Sequence, residues 1–424
     1  MVLSGDKMKK QAKHINMKKN FVWNLIGLTF YSFTSLAFMI IVKQINGLNQ
    51  SGIFSYAYSI CTLFYYISLY YNRSYQISNY GNNKKFNNYL TNRILTSIIT
   101  IFLMIIFCLI NRFDSFKTII IILLLVYRAI EAIIDTFYGY LQANDKLYQV
   151  GISYTFKSLF GTILFLIVNK MTDNLILAII SLGLMSILTF IFYDWKCFSS
   201  LKKEKIELDF SKSFVIFKEA LPIFIFSFAS IYLSNAQKFI LNYYASNEMQ
   251  SIFAMLVMPA TVLSLVGAYL INPYLNSLNE NYKNNNIKKY NNIVKKILIC
   301  LFLVGVLAFV TCFYIGIPVL NIIYRINLNK YKIDLLLIIV GSIFMASTMI
   351  ISNCLTIIES NRGQAMIYII SSFLASVLIP IFINYGEIKA GSLSYLFSNI
   401  FNLVAFLVLY VVIIIKKERF INGG

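Results

Sequence analysis

Charge, histidine and cysteine are what this chain has least of. Of its 424 residues only 13% are charged, one is histidine and six are cysteine. A soluble domain carries about twice that share of charge, so the chain is not built for water alone. The cysteines at 61, 108, 197, 300, 312 and 354 are scattered, with no CxxC pair among them. That argues against a disulfide framework and against a zinc site. The lone His14 lies in a basic N-terminal stretch with no second ligand beside it. No metal and no cofactor is therefore expected. There is no glycine-rich phosphate loop, and no polar segment approaches the roughly 50 residues of the smallest domains. A soluble catalytic or nucleotide-hydrolysing domain has no room, so the chain reads as a non-enzyme whose transport is passive or ion-coupled.

What is present is hydrocarbon. The chain is 58% hydrophobic, with a mean hydropathy of +0.71. Apolar runs near the ~20 residues that cross a bilayer recur from end to end, the mark of an all-α polytopic membrane protein. Twelve spans are expected, at 21–42, 50–70, 94–110, 118–140, 149–168, 175–194, 214–240, 250–272, 294–316, 333–357, 364–384 and 391–415. The basic start lacks a small-residue cleavage site, so no signal peptide is expected; Met17 is a second candidate start.

The net charge of +20 does not call for nucleic acid, because Lys and Arg collect in the cytoplasmic loops of membrane proteins. Alternate loops, counted from the N-terminus, hold 26 Lys and Arg, and the other loops hold 8. This bias puts both termini in the cytoplasm, and only the basic segment "YRINLNKYK" at 324–332 runs against it. The link "KCFSSLKKEKIELDFSKS" divides the spans six and six: a lobe at 1–195, a cytoplasmic linker at 196–213 and a lobe at 214–424. Such a plan suits a transporter with its substrate site between halves.

The fourth span, in "LLVYRAIEAIIDTFYGYLQAN" at 124–144, breaks the apolar rule. At 100° per residue Arg128, Glu131, Asp135, Gly139 and Gln142 share one stripe about 80° wide. A charge near the bilayer centre costs about 2.5–3.5 kcal/mol, so pairing is expected. Arg128 and Glu131, spaced i,i+3, can pair on the helix. Asp135 and Lys157 lie equally far from the hairpin centre near residue 146 and are expected to meet. Two uses follow: a neutral structural network, or the lining of a hydrated path for a polar or anionic substrate or a coupling ion, H+ or Na+. Asn24, Asn353, Asn399 and Asn402 read as interhelical hydrogen-bonding groups, with Asn24 also a candidate on the path. Pro222, Pro259, Pro273, Pro318 and Pro380 each fall in or beside a span.

Several segments together resemble a known family. "KKNFVWNLIG" at 18–27, "GIFSYAYSI" at 52–60, "NRSYQISN" at 72–79 and "FNNYLTNRILT" at 86–96 resemble the opening of bacterial polysaccharide flippases of the Wzx type. "AIIDTFYGYLQANDKLYQVGIS" at 132–153 resembles their fourth span and its turn, and "EALPIFIFSF" at 219–228 and "NAQKFILNYYAS" at 235–246 resemble the start and end of their seventh. These belong to the multidrug/oligosaccharidyl-lipid/polysaccharide exporter superfamily. The resemblance departs at Asn79, where the pattern has Asp. It implies two six-helix lobes around a central cavity, working by alternating access. It also implies an undecaprenyl-diphosphate-linked oligosaccharide as substrate, moved from inner to outer leaflet of the bacterial cytoplasmic membrane for O-antigen or capsule synthesis. Polysaccharide polymerase and glycosyltransferases are the partners so implied. By position, Arg128 and Lys157 are the candidate cations of the path, Arg73 meets the diphosphate at the cytoplasmic mouth, and Glu131 or Asp135 titrates in proton coupling. A drug or small-molecule exporter of the same superfamily is the alternative. A membrane polymerase or ligase fits less well, since no large external loop is present.

Overall fold

In hydrocarbon no water satisfies backbone N–H and C=O groups, so an apolar run must close its hydrogen bonds on itself as a helix. Every regular element of this computed structural model is a helix, with no strand among the described residues. It describes the backbone of residues 2–70, 72–78, 85–201 and 205–423, and the side chains of these except at 2–17, 72, 74 and 420–423. The side chains of His14 and Met17, and the whole of Asn79, lie outside the described residues.

The chain forms two compact units, Met1–Phe224 and Ile225–Gly424. The first contains α1 (Val2–Leu69), α2 (Asn72–Ser78), α3 (Phe86–Asn111), α4 (Ser115–Ala143) and α5 (Leu147–Thr172). It continues with α6 (Leu175–Thr189), a π-helical turn Phe190–Asp194 and α7 (Trp195–Ser199). Helix α8 (Ser213–Tyr244), with Pro222 inside it, contributes to both units. The second contains α9 (Asn247–Ile271), α10 (Leu275–Lys283), α11 (Ile287–Thr311), α12 (Ile317–Tyr324), α13 (Lys332–Ile357), α14 (Asn361–Phe382) and α15 (Glu387–Gly423).

Ten helical segments among the described residues are long and apolar enough to cross a membrane. Helix α1 is long enough for two passes, because Gly47 interrupts it at φ 85° and ψ −178°, a conformation open essentially only to glycine. Helix α4 is missing from the ten; its Lys117, Arg128, Glu131 and Asp135 exclude it on charge, while its 29 residues suffice in length. Twelve passes result among the described residues, as expected, and the chain is a multi-pass membrane protein. Large apolar side chains facing outward, such as Phe102, Ile110, Phe214 and Ile322, are what a lipid-facing surface presents.

Short turns set the neighbours. Asp114 caps α4 by accepting from the Lys117 N–H at 2.9 Å, after Arg112 has closed α3 in the left-handed conformation. Asn174 caps α6 through the Ile176 and Leu177 N–H groups at 2.9 and 3.3 Å. Such caps satisfy the orphan donors of a helix start. In the first unit α1 packs along α5 and α4, and α3 and α6 flank α4. In the second, α13 is central, packed on α9, α11 and α15. There Asn402 accepts from Ser371 at 2.9 Å across α14–α15, whereas Asn353 and Asn399 bond back to their own helices. Helix α11 runs on through a second π-helical turn, Cys312–Gly316, into α12. The expected loop after 316 is therefore mostly helical.

A Cβ at Gly47 would meet nothing within 4 Å, so any substitution cost there is conformational. Gly47→Ala is expected to destabilise the protein by about 1–3 kcal/mol, read as a lower thermal midpoint in detergent. An unchanged midpoint would show that the break does not need glycine.

Candidate functional site

The polar stripe on α4 is the centre of a buried charged cluster in the first unit. Helix α4 lies between α1, α3, α5 and α6, and all three of its stripe charges are buried: Arg128 at 6%, Glu131 at 3% and Asp135 at 7% exposure. The two expected pairings are both replaced by others. Lys157 of α5 holds Glu131, with Nζ 3.0 Å from Oε1 and 2.8 Å from Oε2. Asp135 is gripped from the other side. Its Oδ1 accepts from Arg73 Nη1 at 2.9 Å and its Oδ2 from Arg93 Nη2 at 3.1 Å.

The reason is geometric. Antiparallel packing about the turn Asn144–Lys146 brings Lys157 level with residue 133, between Glu131 and Asp135. Depth therefore leaves both within reach of a lysine, and the helix face decides. The Glu131 carboxylate faces α5, while that of Asp135 faces α2 and α3.

Arg93 is the residue that the sequence reading missed. A third span beginning at 94 leaves Arg93 in the preceding cytoplasmic loop; α3 begins instead at Phe86, and Arg93 is fully buried. Besides Asp135, it donates Nε to Thr136 Oγ1 and Nη1 to the Ser68 carbonyl, each at 3.3 Å. A signal was available: Phe86, Leu90, Arg93, Ser97 and Thr100, all buried, recur at helical spacing. Arg73 on α2 is only half-buried and donates Nη2 to Gln142 Oε1 at 2.8 Å and Nη1 to Tyr154 Oη at 3.3 Å. Helix α2 reaches α4 at Gly139, where a Cβ would run into the Gln76 side chain. Gln76 Nε2 in turn donates to the Thr136 carbonyl at 3.2 Å.

Arg128 is different in kind. It forms no ion pair with any described residue. Nη1 donates to Tyr31 Oη at 2.8 Å, and the guanidinium lies 4.7, 5.4 and 5.6 Å from the ring centroids of Tyr58, Tyr65 and Tyr127. Cation–π attraction and one neutral acceptor hold it, at about 0.5–2 kcal/mol per ring. Asn24 does not join the cluster: it is half-buried where α1 meets α5 beside Gly151, with no hydrogen bond to a charged member.

A second unforeseen group is Asp194. The π-helical turn that ends α6 carries it inward to full burial. Its Oδ2 accepts from Tyr138 Oη at 3.0 Å, and Tyr138 Oη also meets Ser153 Oγ at 2.7 Å. Lys157 Nζ sits 4.9 Å from the Tyr138 ring centroid. The cluster thus holds four cations, Arg73, Arg93, Arg128 and Lys157, against three carboxylates, Glu131, Asp135 and Asp194. With all ionised the sum is +1 among the described residues: Asp135 holds two cations, Asp194 pairs with none, and Arg128 has no carboxylate partner.

Comparison with solved structures then places the architecture. An inward-facing multidrug resistance MATE family transporter of the MOP superfamily aligns with a TM-score of 0.70 at 14% identity, over 94% of this chain and 99% of that one. The chain has the fold of a MATE transporter. An outward-facing form of such a transporter aligns at a TM-score of 0.63 and 16% identity, covering 95% and 96% of the two chains. A MOP superfamily transporter from Pyrococcus furiosus, described as having a binding pocket of reversed polarity that suggests a different function, aligns at 0.62 and 16%, again over 95% and 96%. No protein-family model and no curated protein matches the chain. On this MATE fold, the charged stripe of α4 occupies the first unit.

The pairings predict different costs. Glu131→Gln leaves Lys157 buried and unpaired, and is expected to cost about 3–5 kcal/mol. Replacing both by methionine should recover most of that loss. Arg128→Gln strands no carboxylate and should cost less than Glu131→Gln. Thermal unfolding of the four proteins in one detergent checks the order.

Proposed function

We propose that the chain is a flippase of the polysaccharide branch of this superfamily. It moves an undecaprenyl-diphosphate-linked oligosaccharide from the inner to the outer leaflet of the bacterial cytoplasmic membrane, for surface polysaccharide synthesis. Arg128 carries the proposal: a buried cation with hydrogen-bonding capacity to spare and no carboxylate to neutralise it. An anion crossing hydrocarbon needs such groups, whereas the polyprenyl tail can stay in lipid.

Along α4 the charged stations succeed one another. Arg73 with Asp135 and Gln142 comes first, then Lys157 with Glu131, then Arg128 in its tyrosine setting. Arg128 to Gln142 spans about 21 Å of helix axis. A diphosphate can move along this series by replacing one carboxylate after another as the partner of the neighbouring cation. Tyr31, Tyr58 and Tyr65 add flat faces on which sugar rings stack. Both termini lie in the cytoplasm on the bias of basic loops, which puts the Arg73 station at the inner mouth. Glycosyltransferases supply the substrate on that side, and a polymerase consumes the product on the other. Coupling is to H+ or Na+, or transport is passive.

The named neighbours favour one other reading, export of drugs or small molecules. Organic cations would be repelled by a cluster with surplus positive charge, so that reading is confined to anionic or neutral compounds.

A leaflet assay tests the proposal. Reconstituted protein with fluorescent lipid-linked oligosaccharide should expose the label to an external quencher faster than empty liposomes, with an ion gradient supplied. Arg128→Ala should slow this by about 10- to 100-fold, the worth of a hydrogen bond to a charged group, with the protein still present in the membrane. Flipping at the empty-liposome rate by the parent protein would overturn the proposal. Loss of the variant from the membrane would return Arg128 to a structural role.

A further inference from the structure

The second unit carries a groove that the charged cluster does not explain. One face of α11, from Asn291 to Phe302, forms one wall; Ile351 of α13 and Leu407, Tyr410 and Val411 of α15 close it. The groove's volume is about 380 Å³. Ile299, Phe302 and Val411 are 49%, 61% and 49% exposed, so the groove opens sideways, towards the surface that faces lipid.

The groove is polar at one end only. Tyr410 Oη donates to Asn291 Oδ1 at 2.7 Å, which fixes the amide and leaves its N–H donors without a partner among the described residues. One turn further on, Lys295 is exposed and forms no ion pair among the described residues. Beyond it the wall is hydrocarbon: Leu298, Ile299, Phe302 and, opposite, Leu407 and Val411. From Asn291 to Phe302 the axis runs about 16 Å, half the thickness of a hydrocarbon core of about 30 Å.

We propose that this groove is a site for one anionic glycerophospholipid. Its phosphate sits between the Asn291 amide and the Lys295 ammonium, and one acyl chain lies along α11. Three features select this occupant. The donor pair suits a phosphate oxygen. The unmatched ammonium favours a head group with net negative charge over a zwitterionic one. The one-leaflet depth fits an acyl chain and is short for a long polyprenyl tail. The site is separate from the α4 cluster and does not depend on what the protein transports.

Photolabelling of the full chain in nanodiscs of neutral lipid tests it. The probe is phosphatidylglycerol carrying a diazirine in one acyl chain, compared with phosphatidylcholine carrying the same chain. Label on α11 and α15 peptides should favour phosphatidylglycerol about fivefold, the contribution of one interfacial lysine. Lys295→Gln should bring the two lipids to parity, and Lys296→Gln should leave the preference intact. Parity in the parent protein, or a preference that survives Lys295→Gln, overturns the site. Displacement of the label by a polyprenyl phosphate at a lower concentration than unlabelled phosphatidylglycerol also overturns it, making the groove a seat for an isoprenoid tail.

Discussion

A charge placed in hydrocarbon has to be answered by protein, because nothing else is there to answer it. Much of the first unit is arranged around that constraint. Helix α4 brings Arg128, Glu131 and Asp135 into the interior, and four neighbouring helices supply a reply. Lysine comes from α5, arginine from α2 and α3, and tyrosines from α1. The replies differ in strength. Asp135 accepts from two guanidinium groups and Glu131 from one ammonium at two oxygens, while Arg128 receives only a hydroxyl and ring faces.

That gradation sorts the buried cations by how fully the surrounding protein answers them. Arg93 is fully enclosed and spends all three of its nitrogens on α1, α4 and Asp135, as expected of a group that holds helices together. Arg73, on a short helix and with its side chain 21% exposed, shares the same carboxylate. Arg128 is enclosed yet electrically unmatched. Buried ion pairs add little net stability, so stability alone is a weak reason for so many of them. Asp194 adds a different element: a buried carboxylate held by the Tyr138 hydroxyl rather than by a cation.

The number of passes, the all-helical class and the face of α4 that turns inward were legible in the sequence. They follow from the length of apolar runs and from the 100° rotation per residue, both local properties. The pairings were not legible. Sequence spacing put Lys157 at almost the right depth, but a rotation of α5 about its own axis decides between two carboxylates one turn apart. Arg93 and Asp194 were hidden for another reason. Both sit near span ends, where composition turns polar and a hydropathy boundary shifts by several residues; only packing shows that α3 buries its first turns and that a π-helical turn carries Asp194 inward.

By itself, then, the sequence determined a membrane-spanning helical chain with a charged stripe on its fourth span, because hydrophobicity and helical period are read residue by residue. The tertiary structure decided which cation meets which carboxylate and which one is left over. Those outcomes depend on the azimuth of each helix against its neighbours, and azimuth is set by the packing of all of them at once.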